Sequence, residues 1–166
     1  MDEIDRSLLA MLQQDATLSI AQMAERVGLS ATPCWKRIQK LEAAGIITRR
    51  VALVDPQRVG VGLSVLVSIE AGEHTPVWLE RFSAGIAELP EVMEVYRMAG
   101  DVDYLLRVAV ADMGEYDEFY KKLIAVAPMK NVTSRFAMEC IKHTTAYPLH
   151  PSAFRDRRGA EGGDQE

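Results

Sequence analysis

Apolar positions recur along this chain with two different periods, and the change of period divides it. Over the first fifty residues the period is helical. Ile4, Leu8, Met11 and Leu12 share one stripe, which predicts a helix over residues 2–14. Asp2, Glu3 and Asp5 lie in its first turn, where the helix dipole favours anions. Asp15-Ala16-Thr17-Leu18 interrupts the pattern. Ser19 and Gln22 then have capping-box spacing, and Ile20, Met23, Ala24 and Val27 form a short second stripe that Gly28 is placed to end. In the stretch Ser30 to Glu42, Cys34, Ile38 and Leu41 recur on one face while Thr32, Lys36, Gln39 and Lys40 point roughly the other way. Ser30 or Thr32 can cap this third helix, and Pro33 is tolerated because it falls in the first turn. Gly45 ends it. Ile46 to Val54 is rich in β-branched residues and predicts a strand, with Arg49 and Arg50 near its start.

Asp55-Pro56 initiates a turn, and Gly60 and Gly62 add freedom, so residues 55–62 are expected to be a hinge between domains. Beyond it the period shortens. Leu63–Ile69 alternates as a strand. Thr75-Pro76 opens a helix with Trp78 or Leu79, Phe82, Ile86 and Leu89 inward, stopped by Pro90. Residues 92–99 and 102–110 are two strands around a tight Gly100-Asp101 turn, expected to pair as a hairpin. Asp112 with Glu115 is a further capping box, opening a helix that buries Tyr116, Phe119, Tyr120 and Leu123. Val132 to Lys142 alternates as a last strand, and the polar, glycine-rich tail 151–166 is expected to be disordered.

The order β-α-β-β-α-β is the ferredoxin-like arrangement, so the fold class is α+β: a helix-turn-helix unit over residues 1–54, the hinge, and a ferredoxin-like domain over 63–150. Two helices cover only one sheet face. Leu66, Val95, Leu105 and Ala137 are expected to leave the other face apolar, which predicts a partner subunit.

Charge sharpens the reading of the third helix. Net charge is −5 over 166 residues, yet residues 1–50 hold seven Lys or Arg against six Asp or Glu, and residues 35–50 hold five against one. A small basic end on an acidic body suits local contact with DNA phosphates. A short helix with an apolar back and a cationic, hydrogen-bonding front suits a major groove, and two preceding helices make it the recognition helix of a helix-turn-helix. The competing reading is a solvated surface helix. No apolar run is long enough to span a bilayer, Met1–Arg6 is no signal peptide, and Cys34 and Cys140 sit in apolar-periodic surroundings as reduced core thiols, so a cytoplasmic protein is expected.

The whole resembles the Lrp/AsnC (feast/famine) family of transcriptional regulators. The resemblance runs from residue 2 to about 150 and rests on Ile4-Asp5-Arg6, Val27-Gly28-Leu29-Ser30, Thr32-Pro33-Cys34, Arg37-Ile38 with Leu41-Glu42, Gly45-Ile46-Ile47, the segment Gly100 to Leu106, and Lys142-His143-Thr144-Thr145. Trp35-Lys36-Arg37, Arg97-Met98-Ala99-Gly100, Asp117 to Lys121 and Phe136 to Glu139 further resemble the branch containing a cysteine-responsive activator of cysteine detoxification. The family implies homodimers joined through the free sheet faces, often assembled to octamers, with a small amino acid bound between dimers and no other cofactor. On that likeness Gly100, Asp101, Asp103 and Tyr104 would hold the ligand, with Thr133, Ser134, Arg135 and Phe136 supplied by the neighbouring dimer. Two departures lie near this region: Pro128-Met129-Lys130-Asn131-Val132 where many relatives have Pro-Gly-Val, and Val102 where many have an aromatic. Asp101 and Asp103 could instead satisfy turn backbone groups.

Double-stranded DNA is thus the expected partner. Thr32, Trp35, Lys36, Gln39 and Lys40, with Pro33 in the same turn, would read or flank bases, while Ser30, Arg37, Arg49 and Arg50 would position on phosphates. Two other functions compete. Sirohaem decarboxylase subunits share the two-domain architecture, but His74, His143 and His150 have no metal-ligand spacing and no nucleophile–base pair is evident. A DNA-compacting protein of low specificity would use the same helix.

Overall fold

A computed structural model describes residues 1–149; the expected tail, 151–166, lies outside the described residues. These residues form two compact units. One comprises Met1–Ala52 with residues 142–149, and the other Leu53–Ile141. After Ile141 the chain returns to the helical unit.

In the helical unit, α1 (Glu3–Gln14), α2 (Ile20–Arg26) and α3 (Ala31–Ala43) follow the periodicity closely. Asp2 caps α1 in a reciprocal box with Asp5, and Ser19 caps α2 in a box with Gln22, satisfying N–H groups that the first turn leaves open. Gly28 takes φ +67° between α2 and α3, and Gly45 takes φ +68° after α3. Leu8, Met23, Ala24, Cys34 and Ile38 form the core, with Ile47 packed against it. Ser30 occupies the N-cap of α3 but makes no side-chain cap bond. One donor for such a bond is missing, since Pro33, the third helical residue, has no N–H.

The strand expected at Ile46–Val54 is absent among the described residues. The N–H groups of Ile46 and Ile47 both donate to the Leu41 carbonyl, at 3.0 and 3.2 Å, which turns the chain back onto α3. Val51, Leu53 and Val54 are exposed beyond that turn. High β-propensity there has no neighbouring strand to complete a ladder.

The sheet unit opens on the expected turn, with Asp55 Oδ1 accepting the Gln57 N–H at 2.9 Å. Its elements are β1 (Leu63–Ala71), α4 (Pro76–Ala87), β2 (Val92–Arg97), β3 (Tyr104–Val110), α5 (Met113–Val126) and β4 (Met129–Phe136). The sheet is antiparallel throughout in the order β2-β3-β1-β4, as the ferredoxin-like reading requires. Both helices pack on one face, around Val65, Val67, Ile69, Leu106, Val108 and Val110. Trp78 is the inward residue of α4 and Leu79 is exposed; Trp78 stacks on Phe82, and its Nε1–H donates to the Pro128 carbonyl at 2.7 Å. Glu115 does not complete a capping box with Asp112. Its carboxylate accepts from the Ala111 N–H instead, while Asp112 Oδ1 alone accepts from Gly114 and Glu115.

Two strand expectations need correction. The β2–β3 connection is a loop rather than a tight turn, closed by the Met98 N–H on the Asp103 carbonyl at 2.8 Å. The last strand begins at Met129 and stops at Phe136, so residues 137–142 lack the alternation that would bury Cys140, and that thiol is exposed. Cys34, by contrast, is buried as expected, and burial pushes its thiol pKa up.

Across the sheet, directly opposed residues share a face. Leu66 therefore lies between Arg107 on β3 and Arg135 on β4, and Leu105 lies between Tyr96 and Ser68. Val95 opposes Leu106 and so belongs to the helix-covered side, at its edge. A bulge between Val92 and Glu94 inserts one residue and inverts the expected parity. The uncovered face is consequently mixed: Leu66 and Leu105 sit among the Arg107–Glu94 ion pair (2.7 Å) and the Arg135–Ser68 hydrogen bond (2.7 Å).

Candidate nucleic-acid interface and effector region

The apolar stripe of α3 decides which way its other side chains face. With Cys34, Ile38 and Leu41 buried, Thr32, Pro33, Lys36, Gln39 and Lys40 are exposed. Trp35, at the border, is half exposed. Lys36 and Lys40 enter no ion pair among the described residues, so both ammonium groups are available to an anion. They border a shallow hollow whose remaining wall is Met1, Asp2, Asp5, Pro33 and Arg37.

Three of the expected DNA contacts are engaged within the chain. Arg37, assigned to phosphate from sequence, instead ties α3 to α1 through Asp2 and Asp5 at 2.7 and 2.8 Å. The two carboxylates raise the guanidinium pKa, and the Asp5 N–H followed by Arg37 holds the Asp2 carboxyl below its ordinary value. Arg50 pairs with Glu42 at 2.8 Å, and Gln39 donates to the other oxygen of Glu42 at 2.9 Å. Arg49 is exposed. The helical period finds the outward row but is silent about the Arg37 partners on α1 and about Arg50 beyond the helix end, whereas Gln39 and Glu42 are three residues apart on α3 itself.

The residues expected around an effector fall into distinct environments. Gly100 has φ +151° in the β2–β3 loop, and Asp101 beside it is exposed. Asp103 is a backbone-binding residue: its Oδ2 accepts the Ala71 N–H at 2.8 Å, and its own N–H donates to Ile69 O at 2.9 Å. His74 Nε2 stands 3.9 Å from Asp103 Oδ1. Tyr104 does not line the loop surface; it is buried against Trp78 and Phe82. On β4, Thr133 and Arg135 lie on the uncovered face, whereas Ser134 and Phe136 face α5, where Ser134 is hydrogen-bonded to Tyr116 and Phe136 meets its ring edge-on. Because β1 separates β3 from β4, one chain does not bring these two groups together.

Sequence reading missed two further features here. Lys130 and Asn131 both bind Glu70, at 3.0 and 3.1 Å, beside Asp103. Gln13 on α1 clasps the backbone of Tyr147 from both sides, accepting its N–H at 2.7 Å and donating to its carbonyl at 3.3 Å. Neither follows from periodicity, since each joins residues far apart in the chain. Among the described residues no group of three or more His, Cys, Asp or Glu is placed to hold a metal, and no helix is long and apolar enough to cross a membrane.

A helix-turn-helix with a cationic outward row, followed by a four-stranded α+β domain, defines a DNA-binding regulator with a sensor domain. Residues 1–48 match the winged helix-turn-helix DNA-binding model, and residues 64–147 match the Lrp/AsnC ligand binding domain. The chain is 53% identical over 150 residues to the DNA-binding transcriptional activator DecR of Escherichia coli K12, covering 90% of this chain and 99% of that protein. It is 46% identical over 160 residues to the glutamate uptake regulatory protein of Zymomonas mobilis, covering 96% and 98%. A crystal structure of a Neisseria meningitidis transcriptional regulator in complex with L-methionine superposes with TM-score 0.85 at 33% identity, covering 90% of this chain and 97% of that one. The chain belongs to the Lrp/AsnC family. It is a DNA-binding transcriptional regulator of that type with an amino-acid-binding domain, and not an enzyme.

Proposed function

We propose that this regulator binds a specific DNA site as a homodimer in the cytoplasm and is switched by a small amino acid, with cysteine the leading candidate. The observation that carries the DNA part is the pair Lys36 and Lys40, exposed, unpaired among the described residues and on one face of a helix whose other face is anchored. Thr32, Trp35, Lys36 and Lys40 read or flank bases. Ser30, whose hydroxyl caps nothing, and Arg49 meet phosphates. Gln39 and Arg50 join them by exchanging Glu42 for DNA.

A dimer places two such helices on half-sites about 10 base pairs apart. The mixed uncovered sheet face, with Leu66 and Leu105 beside the Arg107–Glu94 ion pair and the Arg135–Ser68 hydrogen bond, supports self-association through that face. Assembly to octamers would bring Thr133 and Arg135 of one dimer near the Gly100-Asp101 loop of another, where the effector is held. Cysteine rests on the likeness at Trp35-Lys36-Arg37 and Phe136-Ala137-Met138-Glu139; the relative named for glutamate uptake and the methionine complex supply the competing candidates.

Thermal unfolding of the purified protein against each amino acid tests the effector. A ligand present at a hundred times its dissociation constant stabilises by about 2.7 kcal/mol, a shift easily read. A shift with glutamate or methionine and none with cysteine replaces the proposed effector. For DNA, Lys36→Ala with Lys40→Ala is expected to weaken binding to a footprinted site at least tenfold. Equal affinity for any duplex at stated salt would instead mark a compacting protein.

A further inference from the structure

The first turn of α1 and the middle of α3 share one hydrogen-bonded ring. Asp2 Oδ1 accepts the Asp5 N–H at 2.9 Å, and Asp5 Oδ2 accepts the Asp2 N–H at 3.1 Å. The two remaining carboxylate oxygens, Asp2 Oδ2 and Asp5 Oδ1, both accept from Arg37 Nη1, at 2.7 and 2.8 Å. All four oxygens are thereby committed, and one box caps a helix while gripping another. Arg37 follows Lys36 directly and precedes Lys40 by less than one turn, so the grip acts beside the two uncommitted cations.

We propose that Arg37 is a positioning residue for the recognition helix, one that sets discrimination between DNA sequences rather than attraction to DNA as such. Cys34, Ile38 and Leu41 hold α3 by non-directional burial, which permits the helix to roll or slide by fractions of an ångström. Two short charge-assisted bonds to fixed oxygens remove that freedom. The consequence differs for the two kinds of DNA contact. A hydrogen bond to a base edge lives within about half an ångström of its best length. Attraction to phosphates fades only over a Debye length, about 8–10 Å at physiological salt. A helix displaced by several tenths of an ångström therefore loses base readout and keeps its electrostatic grip.

The test rests on the DNA-reading face proposed above and is arranged so that the two fail separately. Full-length protein is titrated by fluorescence anisotropy, over a salt series, against a duplex it has selected from a random pool and against a shuffled duplex of equal composition. Arg37→Gln is expected to cut the ratio of specific to non-specific affinity roughly tenfold, the discrimination of about one base contact. The slope of log affinity against log salt on the shuffled duplex should stay unchanged. Asp2→Asn with Asp5→Asn keeps amide oxygens that can cap α1. That double variant should lower the ratio similarly, while the two lost negative charges raise non-specific binding. Arg37→Lys, which offers three donors to the same oxygens, should recover most of the ratio.

If Arg37→Gln unfolds the helical unit, the double asparagine variant and Arg37→Lys still give the answer. The inference is overturned if Arg37→Gln weakens both duplexes equally and lowers the salt slope by about 0.9, the mark of a lost phosphate contact. It is also overturned if the ratio is unchanged in every variant. Unchanged DNA affinity in Lys36→Ala with Lys40→Ala would remove the DNA-reading face itself, whereas weakened binding there with an unmoved ratio in the Arg37 variants removes this inference alone.

Discussion

Among the described residues, the main buried cluster of the helical unit has five members, Leu8, Met23, Ala24, Cys34 and Ile38, while that of the sheet unit has sixteen, five of them aromatic. Trp78, Phe82 and Tyr104 pack ring to ring beneath the sheet, whereas the largest side chains at the helical centre are Leu8, Met23 and Ile38. The helical unit adds directional bonds at its helix ends: reciprocal caps at Asp2–Asp5 and Ser19–Gln22, and the Arg37 tie. A small core supplies little reserve, and polar geometry then decides how its pieces sit. The DNA-binding unit is accordingly expected to be the first to open.

That contrast can be pushed from either side, and each unit carries one tryptophan to report on it, Trp35 or Trp78. The largest effect is expected from Phe119→Ala, which removes a fully buried ring from the sheet core and costs about 3–5 kcal/mol. Trp78 fluorescence should show a lowered urea midpoint. Leu8→Ala costs about 2–5 kcal/mol. In so small a unit that is expected to abolish DNA binding and the Trp35 transition and to lower helical circular dichroism to the part that α4 and α5 supply, while the Trp78 transition persists. A joint shift of the Trp35 and Trp78 transitions would break the comparison, because it would make the units one cooperative body.

Smaller changes sharpen it. Gly28→Ala meets no neighbouring atom, so its cost is the left-handed backbone alone, about 1–2 kcal/mol, read as an earlier Trp35 transition. Ser19→Ala removes one half of a capping box and should cost about 0.5–2 kcal/mol in the same assay. Acid gives the mildest handle. Asp2 and Asp15 in the helical unit, and Glu70 in the sheet unit, are held below their ordinary carboxyl values by hydrogen bonds from Asp5 N–H, Thr17 and Lys130 respectively. A depressed folded value means that the unfolded chain takes up protons first. The stabilisation is thus complete above the ordinary carboxyl value and is lost as pH falls below it. The helical unit, with less core in reserve, should unfold at the higher pH of the two, read from Trp35 against Trp78 fluorescence.

What could be read from the sequence was what repeats locally. The three N-terminal helices, the Ser19–Gln22 box, the inward faces of α4 and α5 and the β-α-β-β-α-β order all follow from periods and caps that involve neighbours within four residues. Where a distant partner or a single inserted residue decided the matter, the reading failed. Ile46–Val54 has the composition of a strand and lacks a strand to pair with. Val95 changed faces because one bulge shifted parity. Cys140 missed the core because β4 stops four residues earlier. The outward row of α3 was legible for the same local reason. The commitment of Arg37 and Arg50 was not, since their pairing joins α3 to residues outside it that a helical wheel does not contain; Gln39 and Glu42, three apart on α3, were within its reach and went unread.

The clasp between Gln13 and Tyr147 has a consequence for how the chain is made. Because residues 142–149 belong with α1, α2 and α3, the sheet unit is an insertion within the helical one. A growing chain emerges with all three helices complete while Tyr147 is still unsynthesised, and the entire sheet unit must be translated before the Gln13 amide meets its backbone partner. The DNA-reading unit is thus begun first and finished last, so a truncated product carries the recognition helix without the final strap that closes its own unit.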